Sequence, residues 1–503
     1  MSDIFLHGAY GQTQAVGSRV PNASRSAIVY IGTAPVHTLA LGSGESYNVN
    51  KPVLVNNIAE ARQLFGYSDD WAKYTLCEAM RVHLENKGVG PLVLINVLDP
   101  TKTAHKGTAG TATKTPENGR VTIPSAESII LESVVVKSGT GNDEVTKEKG
   151  VDYSIVYSID KQTITIAELT SGALGTSALT ITYDTINAAG VANADVIGAS
   201  DGLGLNTGIF AVKNVYQATG YIPSFLAAPG FSSVPEIHSA LHDNSQKING
   251  HWDAFVFVDL PLTNGATALT LDTIAAYKSA NGYTNQNEMV FFPMAKGTDG
   301  AHYHLSVLAA ANFQQLLIEQ DGVPFKSASN TDCPIIENLF TGASDTERVY
   351  DDSIINEKLN KAGIASAAFV GGRWAIWGAS CADYDQENKD AINVACTNRM
   401  MLYYISNDFQ HRRTRDVDRP MTANDMKTIA SQEQARLDSL RKMGALLYGA
   451  VYVDASMRAR SDIMNGDYAF TFDVTTTPLA KSLTAIVNWT DIGFATYYES
   501  LVG

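Results

Sequence analysis

The chain has 503 residues, 45% hydrophobic and 18% charged, with 37 basic against 52 acidic side chains and a net charge of −15. This length suits about three or four domains, and the composition is that of a well-buried globular protein rather than a disordered one. The acidic balance argues against nucleic acid as the main partner, because phosphate contacts need a basic surface.

Met1–Arg25 is polar and unperiodic and reads as a frayed terminus or an extended arm. It holds no apolar run long enough for a signal peptide, and no stretch of the chain reaches the ~18 apolar residues of a membrane span. Ser26–Pro35 reads as a buried strand stopped by Gly32 and Pro35. Asn56–Gly66 is a short capped helix, about Asp70–Asn86 a longer one, and Pro91–Val97 a second buried strand. Residues 27–100 thus form one α/β segment. Thr101–Gly119 is rich in Thr, Lys, Ala and Gly with no apolar anchor, and is expected to be a linker. Over residues 120–187 the pattern turns to β, with strands at Ile129–Val136, Tyr153–Tyr157, Thr163–Ile166 and Leu179–Tyr183 and a turn at Asp160-Lys161. A small all-β domain is therefore inserted into an α/β chain.

Gly202–Gly208 opens a helix with Gly-x-Gly-x-x-x-Gly, one residue off the dinucleotide fingerprint, so no nucleotide site is expected. Residues 188–390 carry the core. Ile222–Pro229, Ala254–Pro261 and Met289–Pro293 are apolar on both faces, and helical patterns lie between them at Ser233–Lys247 and Leu269–Asn281. This alternation predicts a doubly wound α/β sheet with right-handed crossovers. Ligands of such sheets bind at the carboxyl ends of the strands. Only Asp259 and Lys296 there could do acid–base work or hold a phosphate, and a buried Asp–Lys pair or two solvated loop ends is the expected arrangement.

A helix is expected over His302–Glu319. His302 and His304 are two apart, which suits a strand face and not a helix face, so no metal pair is expected. Ser380 sits in Gly-Ala-Ser-Cys-Ala, near a Gly-x-Ser-x-Gly elbow without its second Gly, and Cys381 invites a thiol-nucleophile reading. Neither has a base nearby in sequence. No catalytic residue, metal or cofactor is expected. Cys77, Cys333, Cys381 and Cys396 form no Cys-x-x-Cys pair and are expected to be reduced thiols of a cytosolic protein.

Lys389–Gln410 reads as a long helix running into His411–Arg419, where the interleaved Asp416 and Asp418 predict a solvated or ion-paired face. Thr422–Asp425 resembles a capping box and opens a helix to about Leu447, with Met426, Ile429, Leu437, Leu440 and Met443 on one face. Ala450–Asp454, Tyr468–Val474 and Ser482–Trp489 read as strands. Residues 391–480 are expected to form a C-terminal domain and 481–503 a terminal arm.

The order of these pieces resembles the tail sheath proteins of contractile phages and related contractile bacteriocins, nearly end to end. Ser26–Pro35, ending in Gly-x-Ala-Pro, looks like the family's early strand, and Lys51-Pro-Val-Leu-Val-Asn-Asn-Ile-Ala-Glu-Ala like its next motif. Phe225-Leu-Ala-Ala-Pro-Gly-Phe and Ala254-Phe-Val-Phe-Val-Asp-Leu-Pro look like its core strands. The stretch from Gly363-Ile-Ala to Arg373-Trp-Ala-Ile-Trp-Gly-Ala-Ser also fits, as do Asp385–Arg399, Leu440–Val453 and the end from Asp473.

The resemblance implies a subtilisin-like core without a protease triad, an outward-facing insertion and a tube-proximal C-terminal domain. It implies hexameric rings stacked helically around a tail tube protein, meeting baseplate and neck or terminator proteins. Such a protein is assembled in the host cytoplasm and ends in the virion, with no nucleic-acid partner and no membrane insertion. Neighbouring subunits would be joined by strands from both termini, through Val16 and Val20 at one end and Leu483, Ala485 and Val487 at the other. Two other classes fit parts of the pattern. One is a hydrolase using Asp259, a His and Ser380 or Cys381; the other is a non-contractile tube or shell protein.

Overall fold

Strands apolar on both faces need cover on both sides. In the computed structural model they find it in an eight-stranded sheet, ordered Val53–Val55, Leu92–Asn96, Ser26–Gly32, Ile222–Ala227, Phe255–Asp259, Glu288–Phe291, Ile364–Val370 and Arg373–Trp377. The six inner strands run parallel and the two edge strands antiparallel. The structure describes residues 26–502 except 43, 126, 140–142, 340–351, 388–389 and 454–463. The expected arm at Met1–Arg25 lies outside the described residues.

Side chains alternate between two apolar layers, as the period of a strand requires. Tyr30, Leu94, Phe225, Phe257 and Phe291 pack on one face with the helix Leu305–Glu319. Val29, Ile31, Leu226, Val256 and Val290 pack on the other with Ile237, Leu241 and Ile274 from two shorter helices.

Local signals hold at several element ends. The Asn57 side chain accepts from Glu60 N at the start of Ile58–Phe65, and Gly66 ends that helix at φ 72°. The helix expected from Asp70 is instead Thr75–Ala79 followed by a π-helical stretch, Met80–Lys87. His302 belongs to a short strand, and the next helix begins only at Leu305.

The insertion is a sandwich of two antiparallel sheets. One is ordered Gly110–Lys114, Leu179–Tyr183, Val135–Ser138, Val145–Lys147; the other is Arg120–Pro124, Thr163–Glu168, Tyr153–Tyr157. They share a core of Val121, Ile123, Val136, Tyr153, Ile164, Ile166 and Ile181. Here the linker expectation for Thr101–Gly119 is corrected. Gly110–Lys114 pairs along its length with Leu179–Tyr183. It is an edge strand that gives the sandwich core only the partly buried Ala112, so it carries no hydrophobic pattern to read.

The chain divides into two compact units, Met1–Pro420 and Met421–Gly503. The helix Cys396–Arg413, expected in a C-terminal domain from residue 391, falls in the first unit. Asn407 on this helix ties it to the core: its amide accepts from Asp253 N at 3.0 Å and donates to Asp253 O at 2.8 Å. In the second unit the helix Ala423–Met443 has a full capping box between Thr422 and Asp425 and ends at Gly444 in the left-handed region. It buries Met426, Ile429, Leu437 and Leu440, whereas Met443 is exposed. Among the unit's described residues, Leu446–Val453 pairs antiparallel with Phe470–Thr476.

Candidate functional site

The carboxyl ends of the parallel strands are the place to look for chemistry. Strand Ser26–Gly32 ends so close to the helix Thr75–Ala79 that a Cβ on Gly32 would lie 2.3 Å from Thr75 Oγ1. One turn into that helix, Glu78 points into the protein with no exposure. Its carboxylate accepts from both His304 N and His304 Nδ1, each at 2.6 Å. Asp259, at the end of Phe255–Asp259, accepts from Ser306 N at 3.1 Å and Ser306 Oγ at 2.5 Å. Two carboxylates thus receive the first amides of the helix Leu305–Glu319, where the helix dipole favours negative charge.

The electrostatics follow from this packing. Burial by itself would lower the His304 pKa, but the charge and hydrogen bond of Glu78, with Asp259 behind, raise it to about 9. Burial raises the Asp259 carboxyl, against the pull of His304 and Ser306. The imidazole is therefore a held cation, and the Ser306 hydroxyl donates to the Asp259 carboxylate. This is a structural ion pair joining the first α/β segment to the central helix.

The residues singled out from sequence do not converge. Asp259 and Lys296 make no pair; Lys296 binds Glu337 at 3.1 Å, so both expected arrangements are corrected. Ser380 Oγ donates to Val394 O at 3.0 Å, and Cys381 is fully buried, its thiol pushed up by burial. Gly202–Leu205 is an exposed loop whose Leu203 N and Leu205 N donate to the preceding Asp201, and a 3-10 helix starts only at Gly208. The basic cluster is ion-paired as expected, Arg412 with Asp408 and Arg413 with Asp416. Glu78 and Ser306 escaped the sequence reading. The signal available for Glu78 was an acid among Leu76, Cys77, Ala79 and Met80 in an otherwise apolar helix start. Among the described residues, no group of three or more His, Cys, Asp and Glu is placed to hold a metal, and no helix is long and apolar enough to cross a membrane.

A different kind of site lies at the end of the second unit. Leu483, Ala485 and Val487 are exposed in a stretch without regular structure, Leu483 at 91% and Val487 at 89%. The strand expected over Ser482–Trp489 does not form here, because an extended segment is stable only against a partner strand. The helix Ile492–Val502 follows and exposes Phe494, Tyr497, Tyr498 and Leu501. Exposed apolar chain is a feature that a second polypeptide can satisfy. Val16 and Val20 lie outside the described residues.

No protein-family model matches the chain. Over 269 residues, 52% of its length, it is 28% identical to the tail sheath protein of Burkholderia phage BcepMu. The match spans half, 50%, of that relative. The helical sheath of the anti-feeding prophage in its contracted state superposes with a TM-score of 0.52 at 12% identity, covering 97% of this chain and 99% of that one. The contracted PVC sheath complex of an extracellular contractile injection system gives 0.52 at 12% identity, with 98% and 99% covered. A chain of the six-fold anti-feeding prophage baseplate gives 0.53 at 14%, with 97% and 99% covered. At these identities the likeness to the solved structures is one of fold.

Proposed function

We propose, from this likeness in sequence and fold to tail sheath proteins, that the chain is the structural subunit of a contractile sheath. Copies stack as hexameric rings wound helically around a tail tube, and contraction drives the tube through a cell envelope. The observation that carries this reading is the fold match, which runs over nearly the full length of both chains and so includes the peripheral parts. Baseplate and neck or terminator proteins would cap the sleeve, which assembles in the host cytoplasm and becomes part of the virion. The parallel sheet serves as a subtilisin-like, doubly wound scaffold without a catalytic task, and its strand-end crevice is filled by the Glu78–His304 and Asp259–Ser306 bonds. The insertion faces outward and the second unit faces the tube.

A sleeve needs head-to-tail contacts that do not close on themselves, and these must survive a large rearrangement. Backbone strand addition meets both needs, because ladder hydrogen bonds depend little on side-chain identity. The N-terminal arm through Val16 and Val20, and the exposed Leu483, Ala485 and Val487, are assigned to that exchange. Electron microscopy of the expressed chain tests the whole reading: tubular sleeves are expected, and closed shells or unassembled monomer would overturn it. A chain ending at Lys481 tests the arm. It should fold as a soluble monomer, and normal sleeves from it would rule the arm out.

A further inference from the structure

The inserted sandwich meets the first α/β segment through a small buried polar contact. Glu127, on the insertion, adopts the left-handed conformation at φ 58°, rare for a residue with a side chain. Its own amide donates to Lys161 O at 2.8 Å within the insertion. That geometry turns its remaining groups towards the core. The Glu127 carbonyl accepts from His37 Nε2 at 2.8 Å, and its carboxylate accepts from Ser68 Oγ at 2.6 Å. His37 is fully buried and stacks on Tyr74, with ring centres 5.8 Å apart. A second contact, Leu41 N to Glu132 Oε1 at 2.7 Å, lies at the rim.

The tautomer of His37 follows from this contact. A carbonyl oxygen only accepts, so Nε2 carries the proton and Nδ1 is bare. Nδ1 is buried without a hydrogen-bond partner among the described residues. A proton placed there would sit on an unpaired, desolvated N–H.

We propose that Glu127 is a latch holding the inserted domain against the first α/β segment, and that mild acid opens it by protonating His37. Burial pushes the His37 pKa down to about 4, with the Glu127 hydrogen bond only partly offsetting it. Once the latch opens and the ring meets water, an ordinary imidazole pKa returns. Because the latched pKa is the lower one, the latch is at full strength above about pH 6.5 and weakens as pH falls towards 4. Lys161 of the insertion disfavours a charged His37. The Glu127 carboxyl, raised by burial, is bracketed by Ser68, Lys161, Asp70 and Lys73. Because its pKa is raised in the latched state, its own protonation favours the latched form and works against the opening driven by His37. The window in which His37 drives opening is about pH 6.5 to 4. This inference does not depend on what the chain assembles into.

Hydrogen exchange on the full chain at pH 7 and pH 5, corrected for intrinsic rates, tests the latch. Amides of 36–42 and 127–133 should lose protection roughly 20-fold at pH 5, while those of the sandwich strand Thr163–Glu168 hold within about twofold. In His37→Gln the amide can still donate to the Glu127 carbonyl but does not titrate, so the loss should vanish. Glu127→Gly keeps the carbonyl and removes the carboxylate; it should loosen the junction at pH 7 yet keep the pH dependence. Unchanged junction protection in the wild-type chain would overturn the latch. So would a pH dependence that persists in His37→Gln, or one abolished in Glu127→Gly.

Discussion

Around Asp259 and Glu78 the charges lie inside the fold and each has its partner in the same chain. Beyond Lys481 the arrangement is reversed, with Leu483, Val487 and Trp489 standing in water at 91%, 89% and 81% exposure. The first region is expensive to form and closed once formed, since buried charges must be paired and fully hydrogen-bonded. The second leaves large apolar side chains uncovered by any described residue. The sheath subunit proposed above would need both: a body that does not yield when neighbours shift, and an end that is complete only when a neighbour arrives.

If the buried region is closed as described, breaking it should be costly. Glu78→Ala leaves His304 as an unpaired buried cation and should destabilise the chain by about 3–5 kcal/mol, read from urea unfolding. A loss below about 1 kcal/mol would mean that water reaches the pair. The pH dependence sharpens the same point. The folded His304 pKa of about 9 lies above its ordinary value, so its stabilisation is complete below about pH 6.5 and is lost as pH rises through 9. Melting followed from pH 6 to 10 should show a loss of about 3 kcal/mol from this group, absent in Glu78→Gln. Thr422→Ala removes the cap of Ala423–Met443 and should lower the stability of the second unit alone by about 1 kcal/mol. At the other extreme, Val487→Asp should change monomer stability by less than about 0.5 kcal/mol, because nothing is packed there. The same variant should fail to form sleeves, as seen by electron microscopy. A destabilised monomer would place Val487 in its own subunit's core instead.

Much of the architecture could be read along the chain. The runs at Ile222, Phe255 and Met289 are apolar on both faces, and that pattern fits a strand covered twice over. Asn57, Gly66 and Thr422 sit where capping chemistry puts them, because a cap depends on residues within one turn. The misses have physical causes too. Gly110–Lys114 escaped notice because an edge strand needs backbone partners more than apolar side chains. The helix Ile274–Ala280 came out shorter than the apolar pattern from Leu269 suggested, since a segment's periodicity does not say where its packing ends. The placing of Cys396–Arg413 with the core rested on a distant residue, Asp253, that no local pattern could name.

Composition, periodicity and turn residues were enough to specify an α/β body with a β insertion, because each of these depends on neighbours a few positions apart. The pairing of Glu78 with His304 across 226 residues, and of His37 with Glu127 across 90, came only from folding. A charge chooses its partner by distance and solvent exclusion, and both are set when the sheet closes and the insertion docks.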